Sequence, residues 1–193
     1  MSNFFIDGYL LKKMIIEGAN ALEENKSVVD SLNVFPVPDG DTGTNMSLTI
    51  LAAAREIGKA TGSRVCDIAK AAASGSLRGA RGNSGVIVSQ LFRGFAKGLE
   101  NKETASIEDI AASFVKASET AYKAVMKPKE GTILTVSRVI AEKASEISPE
   151  TEDFGEFTEG IMKAGQEILL KTTQMLPQLK EAGVVDAGGK GLL

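Results

Sequence analysis

Apolar residues recur at three- and four-residue steps along most of the chain, and that period confines it to helices. Leu10, Leu11, Met14, Ile15, Ala19 and Leu22 share one face of a first helix, and Met46, Ile50, Leu51, Ala54 and Ile57 share one face of a second. The stripe returns as Ile110, Phe114, Ala117 and Ala121, as Ile133, Val136, Ile140 and Ala144, and as Phe157, Ile161, Ala164, Ile168 and Leu169. Residues so spaced stand one above another on an α-helix, whereas a half-buried strand needs strict alternation, and no convincing strand can be read.

The breaks between stripes carry start and stop signals. Asp7 reads as the N-cap of a helix running to about Glu24, with Lys26 to Leu32 as a separate short turn. The second helix opens near Thr42 to Asn45 and runs to about Ala60; alanine-rich Val65 to Ser74 and apolar Val86 to Phe95 follow. Ser106 and Asp109 stand in capping-box spacing at the head of a helix to about Val125. Gly131-Thr132 opens the next helix, an acidic turn from Pro149 to Asp153 precedes Phe154 to Thr173, and Leu176 to Ala182 forms a short last piece. Seven to nine amphipathic helices with short connections predict an all-α bundle or barrel. The chain of 193 residues suffices for one domain with a sizeable core. It stops inside a glycine-rich turn, as expected of an N-terminal fragment of a longer, multidomain protein.

Composition narrows the chemistry. The chain has no histidine, which excludes Ser-His-Asp and Cys-His catalysis and most zinc sites. Cys66 is the single cysteine, so no internal disulfide forms, in agreement with a cytoplasmic protein. A net charge of −3 gives no general attraction to nucleic acid. No apolar run is long enough to span a membrane, and acidic Asp7 ahead of Lys12 and Lys13 does not fit a signal peptide. Any reaction must run on carboxylates, hydroxyls, backbone amides, lysine or a bound metal.

Three glycine-rich junctions interrupt the helices. In Asn33-Val-Phe-Pro-Val-Pro-Asp39-Gly-Asp41-Thr42-Gly-Thr44-Asn45, two prolines set an extended entry and two carboxylates follow, one glycine apart. Mg²⁺ is usually held by one or two carboxylates together with substrate phosphates, and Asp39 and Asp41 suit that task. An EF-hand starting at Asp39 would need Gly and Glu where Thr44 and Ile50 stand, so it is excluded. The same residues also suit a polar turn with Asp41 or Thr42 as helix cap. Ser74 to Gly85 holds four glycines and opens onto a helix, which suits either an anion at the helix start or close packing of small residues. No Walker loop is present. The third junction is Asp186 to Gly191, and Gly131-Thr132 is a weaker fourth. In an up-and-down bundle alternate junctions share one end, where a carboxylate pair beside helix N-termini would form a Mg²⁺-nucleotide site.

Asn33 to Met46, Leu77 to Gly85, Glu130 to Leu134 and Val185 to Gly191 together resemble the nucleotide-binding domain of the dihydroxyacetone kinase L-subunit family, and more closely the N-terminal domain of bacterial fatty acid kinase A subunits. The resemblance covers essentially the whole chain. It implies about eight antiparallel amphipathic helices in a barrel, with ATP or ADP bound in the loops at one end and two Mg²⁺ ions held by aspartates. Asp39 and Asp41 match the metal-binding and catalytic pair, and Asn33 stands near a further upstream aspartate of the L-subunits. By the same matching, Thr42, Thr44, Asn45, Gly82, Asn83, Ser84 and Gly85 surround the phosphates. Thr132 and Ile133 lie along the base, and Asp186 with Gly188 closes over the nucleoside. The implied activity is phosphorylation of a fatty acid carried by a separate binding-protein subunit, giving an acyl phosphate for phospholipid synthesis. A dihydroxyacetone-type phosphotransfer subunit or a nucleotide-sensing regulator remains an alternative, and the domain alone is expected to bind nucleotide but turn over poorly.

Overall fold

The computed structural model describes residues 5–193. Among these residues lie nine helices: α1 (Gly8–Ser31), α2 (Thr42–Lys59), α3 (Val65–Gly79), α4 (Gly82–Gly98), α5 (Ile107–Ala124), α6 (Ile133–Ile147), α7 (Phe154–Met175), α8 (Pro177–Ala182) and α9 (Ala187–Leu192). The described residues hold no strand; Ile6 and Ala105 form an isolated antiparallel bridge. The fold is all-α, as the periodicity requires.

Several caps are those the sequence announces. The Asp7 carboxylate accepts from the Leu10 amide at 2.8 Å, and Ser106 and Asp109 exchange both bonds of a capping box. Three expectations fail, and one of them is the glycine-rich junction from Asp186 to Gly191, which forms the helix α9. α1 runs unbroken through Lys26, because the polar stretch from Glu23 to Ser27 contains no breaker, and Leu22 and Val29, two turns apart, are both buried. α3 continues past Ser74 to Gly79 because its glycines face α2 rather than form a turn. A Cβ on Gly75 would lie 2.6 Å from the Ala52 carbonyl oxygen, and one on Gly79 would lie 2.2 Å from the Ala52 Cβ. The expected loop from Ser74 to Gly85 therefore shrinks to Ala80 and Arg81 between two helices.

Contacts between consecutive helices run in opposite order along the two partners. On α1 and α2, Lys12 Nζ reaches the Gly58 carbonyl at 3.5 Å, while Ser47 donates to Glu23. On α4 and α5, Gly94 abuts Ala117 and Gly98 abuts Ser113; on α6 and α7, Gly160 abuts Ile147 and Gly165 abuts Ile140. The helices thus alternate in direction. Junctions 60–64, 99–106 and 148–153 fall at a lower end, and junctions 32–41, 80–81, 125–132 and 176–186 fall at an upper end. The lower end is laced by backbone bonds, Gly8 to Ser63 at 2.8 Å and Val65 to Glu103 at 2.9 Å.

The lower core contains Leu11, Ile57, Ile68, Leu99 and Phe157, and the upper one contains Leu22, Val29, Met46, Val88, Ile133 and Ala187. α9 packs on α6, α1 and α2 and closes the upper end. Between these layers lies an apolar cavity of about 650 Å³, lined by residues such as Ile50, Phe92, Phe114 and Leu192. Among the described residues no helix is long and apolar enough to cross a membrane.

Candidate functional site

The proline-aspartate loop joins α1 to α2. Its Phe35–Pro36 peptide is cis, and Gly40 has φ +67°, a left-handed conformation that places a glycine between the two carboxylates. Gly43 serves another purpose: a Cβ there would lie 2.2 Å from the Lys26 carbonyl oxygen, so the small residue lets α2 press against α1.

Asp41 occupies the N-cap position of α2, yet its side chain makes no capping bond. Asp30, on the last turn of α1, does that work instead. Its Oδ1 accepts from the Thr44 amide at 3.0 Å and its Oδ2 accepts from the Thr44 hydroxyl at 2.8 Å. The Asp30 carbonyl also accepts from the Asn33 amide at 3.1 Å, so one residue ties both flanks of the loop. Asn33 Nδ2 donates to Asp39 Oδ1 at 2.7 Å. Asn33 is 7% exposed, and its Oδ1 is buried with no hydrogen-bond partner. Buried polar atoms are nearly always paired, and an orphaned acceptor marks a place for a water or an ion.

α4 starts beside α2. Arg81 holds its N-cap position without a side-chain cap, which leaves the first-turn amides of Gly82, Asn83 and Ser84 without acceptors among the described residues. Gly82 has φ +57°, and a Cβ on it would lie 2.5 Å from Asn45 Nδ2. Thr49 stitches the two helices: its hydroxyl donates to the Asn45 carbonyl at 2.7 Å and accepts from the Arg81 amide at 3.3 Å. Two helix N-termini therefore lie side by side with Asp39 and Asp41 exposed at their rim. Free first-turn amides and the helix dipole together favour an anion there.

The other two junctions form a second pair. Thr132 caps α6, its Oγ1 accepting from the Leu134 amide at 3.3 Å and donating to the Lys129 carbonyl at 2.8 Å. Ile133 is buried in the upper core. Asp186 caps α9, accepting from the Gly189 amide at 2.6 Å, and the Ile133 amide lies near enough to favour its charge. Burial pushes its carboxyl up to about 6, against the lowering effect of those two amides. A Cβ on Gly188 would lie 3.1 Å from the Ile133 Cβ. The side chains of Ile133 and Asp186 thus face inward, leaving mainly backbone and Thr132 to line this side. Glu130 steadies the turn: it accepts from Tyr122 at 2.9 Å, Thr135 at 2.7 Å and Arg138 at 2.9 Å. Burial opposes ionisation of Glu130, but those donors hold its carboxyl below the usual range. α9 links the pairs, with Gly191 against Met46 and Val29.

Among the described residues no three His, Cys, Asp or Glu side chains cluster closely enough to hold a metal by themselves. Two carboxylates and one amide oxygen nevertheless fit Mg²⁺, which takes its remaining ligands from water and phosphate. Sequence patterns missed Asp30 and Thr49, and marked Glu130 only as the first residue of a motif, with no role of its own. Each acts across a turn or between helices, and Asp30 meets its partner 14 residues away, a spacing with no signature of its own.

The family model described as DAK2 domain matches residues 36–193. An uncharacterized protein of Staphylococcus saprophyticus is 51% identical over 187 residues, covering 97% of this chain and 34% of the relative. Uncharacterized proteins of Staphylococcus epidermidis and Staphylococcus aureus strain USA300 are 50% and 52% identical over 188 residues, with the same coverage. The chain spans about a third of the length of these curated relatives.

Proposed function

Because the chain belongs to the DAK2 domain family, we propose that its upper end is the ATP- and Mg²⁺-binding site of a cytoplasmic kinase whose acceptor is a fatty acid presented by a separate fatty-acid-binding protein. Asp39, Asp41 and the Asn33 side-chain oxygen would hold the metal. Thr42, Thr44, Asn45 and residues 82 to 85 would hold the phosphates, with Thr132, Ile133, Asp186 and Gly188 bordering the nucleoside. The observation that carries this reading is the free Asp41 carboxylate at a helix N-cap, in the same loop as a buried and unpartnered Asn33 oxygen.

Phosphoryl transfer asks little covalent chemistry of a protein beyond positioning and charge stabilisation. Bound Mg²⁺ would supply neutralisation of phosphate charge. A fatty acid carboxylate is already ionised at neutral pH. Its oxygen attacks the γ-phosphorus, a C–O–P bond forms, the bond from that phosphorus to the β,γ-bridging oxygen breaks, and ADP leaves. No general base is needed, which accords with a chain lacking histidine. The DAK2 match supports nucleotide-dependent phosphotransfer, while the Asn33-Val-Phe-Pro-Val-Pro lead-in supports the fatty acid acceptor. Since the relatives are about three times longer, full turnover and partner docking are assigned to segments beyond these residues.

Thermal unfolding with ADP or ATP, with and without Mg²⁺, tests the site. Ligand at a hundredfold excess over its Kd stabilises by about 2.7 kcal/mol, and both Asp39→Ala and Asp41→Ala should abolish the Mg²⁺-dependent part. A folded wild-type domain that gives no shift overturns the proposal. ADP release by the longer relatives, stimulated by fatty-acid-loaded binding protein but not by dihydroxyacetone, would identify the acceptor.

A further inference from the structure

We infer that Asp30 is a positioning residue that keeps Asp41 available for the metal, an inference that rests on the nucleotide site proposed above. An aspartate at an N-cap ordinarily turns its carboxylate onto the second or third amide of its own helix. In α2 the third amide is that of Thr44, and Asp30 already holds it at 3.0 Å while fixing the Thr44 hydroxyl at 2.8 Å. With that donor taken, only the second amide, that of Gly43, is left for a cap, and Asp41 makes no bond to it. Asp30 also anchors the loop's opposite flank, since its carbonyl receives the Asn33 amide at 3.1 Å, and Asn33 in turn reaches Asp39 at 2.7 Å. The Asp30 side chain thus acts on the cap of α2, and so on Asp41, while the backbone of the same residue anchors the start of the loop at Asn33. Asp30 itself is fully engaged, one oxygen on each Thr44 donor, so it acts through its neighbours. Supporting shells of this kind typically govern metal affinity 10- to 100-fold.

Two measurements on the wild type, Asp30→Ala and Asp30→Asn decide the matter. The first reads the Mg²⁺ concentration at half-maximal ADP-dependent thermal shift. Asp30→Ala should raise it at least about tenfold, while Asp30→Asn, which keeps an acceptor for the Thr44 amide, should stay within about threefold. An unchanged midpoint in Asp30→Ala, or equal losses in the two variants, overturns the positioning role. The second needs no nucleotide: hydrogen exchange at the Thr44 amide. It should stay protected in Asp30→Ala, where Asp41 takes over the cap, and become exposed in Asp30→Ala/Asp41→Ala. Exposure in Asp30→Ala alone overturns the inference. A wild type without any Mg²⁺-dependent shift defeats the proposed nucleotide site, and the exchange experiment still judges Asp30.

Discussion

Asp186 shows how far one carboxyl can be moved by its surroundings. Its folded pKa is raised from an ordinary 3.8 to about 6 by burial, so the folded state retains a proton that the unfolded chain releases. The resulting stabilisation is complete below about pH 4 and is lost as pH rises through about 6. At about 1.4 kcal/mol per pH unit, the ionised side chain costs the folded domain roughly 3 kcal/mol at neutral pH. Asp186→Asn keeps an acceptor for the Gly189 amide without the charge. The urea midpoint of this variant, relative to wild type, should climb between pH 4 and 6 and level off above. A constant difference across that range would count against the buried charge. At this scale the sequence marked Asp39 and Asp41 as candidate metal carboxylates, but not whether Asp41 would cap its own helix, nor the inward turn of Asp186 or the clamp at Asp30. Those depend on partners from other elements.

Helices meet closely here because glycine occupies the crossing points. A Cβ on Gly94 would lie 2.3 Å from the Lys116 carbonyl oxygen and 2.5 Å from the Ala117 Cα, both backbone atoms that cannot step aside. Gly18, in the middle of α1, has nothing within 4 Å of the same position. Gly94→Ala should therefore destabilise by about 1–3 kcal/mol through overpacking, whereas Gly18→Ala should stabilise by about 0.5–1 kcal/mol through helix propensity. Chemical denaturation distinguishes them by sign, and two changes of the same sign would contradict this packing. Glycine spacing alone suggested both a phosphate-binding loop and a packing seam between Ser74 and Gly85. Gly75 and Gly79 belong to the seam, while Gly82 alone of the four takes a positive φ at the head of a helix.

The alternation of helices gathers four junctions at one end of the molecule. Hydrogen exchange with Mg²⁺ and ADP should then slow at 32–45, 80–85, 125–133 and 183–188, with little change at 60–64, 99–106 and 148–153. Equal protection at both ends would contradict a site confined to the upper one. α9 is central to this geometry, since it packs on α6, α1 and α2 and joins the two pairs of junctions. A short segment of mostly glycine and alanine carries no periodic stripe, so its closing role could not be read in advance.

Periodicity, caps and breakers by themselves determined an all-α chain, the order of its helices and the loops that carry its carboxylates, because each of these depends on residues within a few positions of one another. They misjudged the ends of α1 and α3, where a polar stretch and helix-facing glycines imitate breaks, and took the glycine-rich α9 for a turn. Tertiary structure alone decided that Asp41 is free, that Asn33 holds a buried oxygen without a partner, and that Asp186 is desolvated. Which donor satisfies a given carboxylate depends on what another helix brings within about 3 Å of it, and no local pattern records that distance.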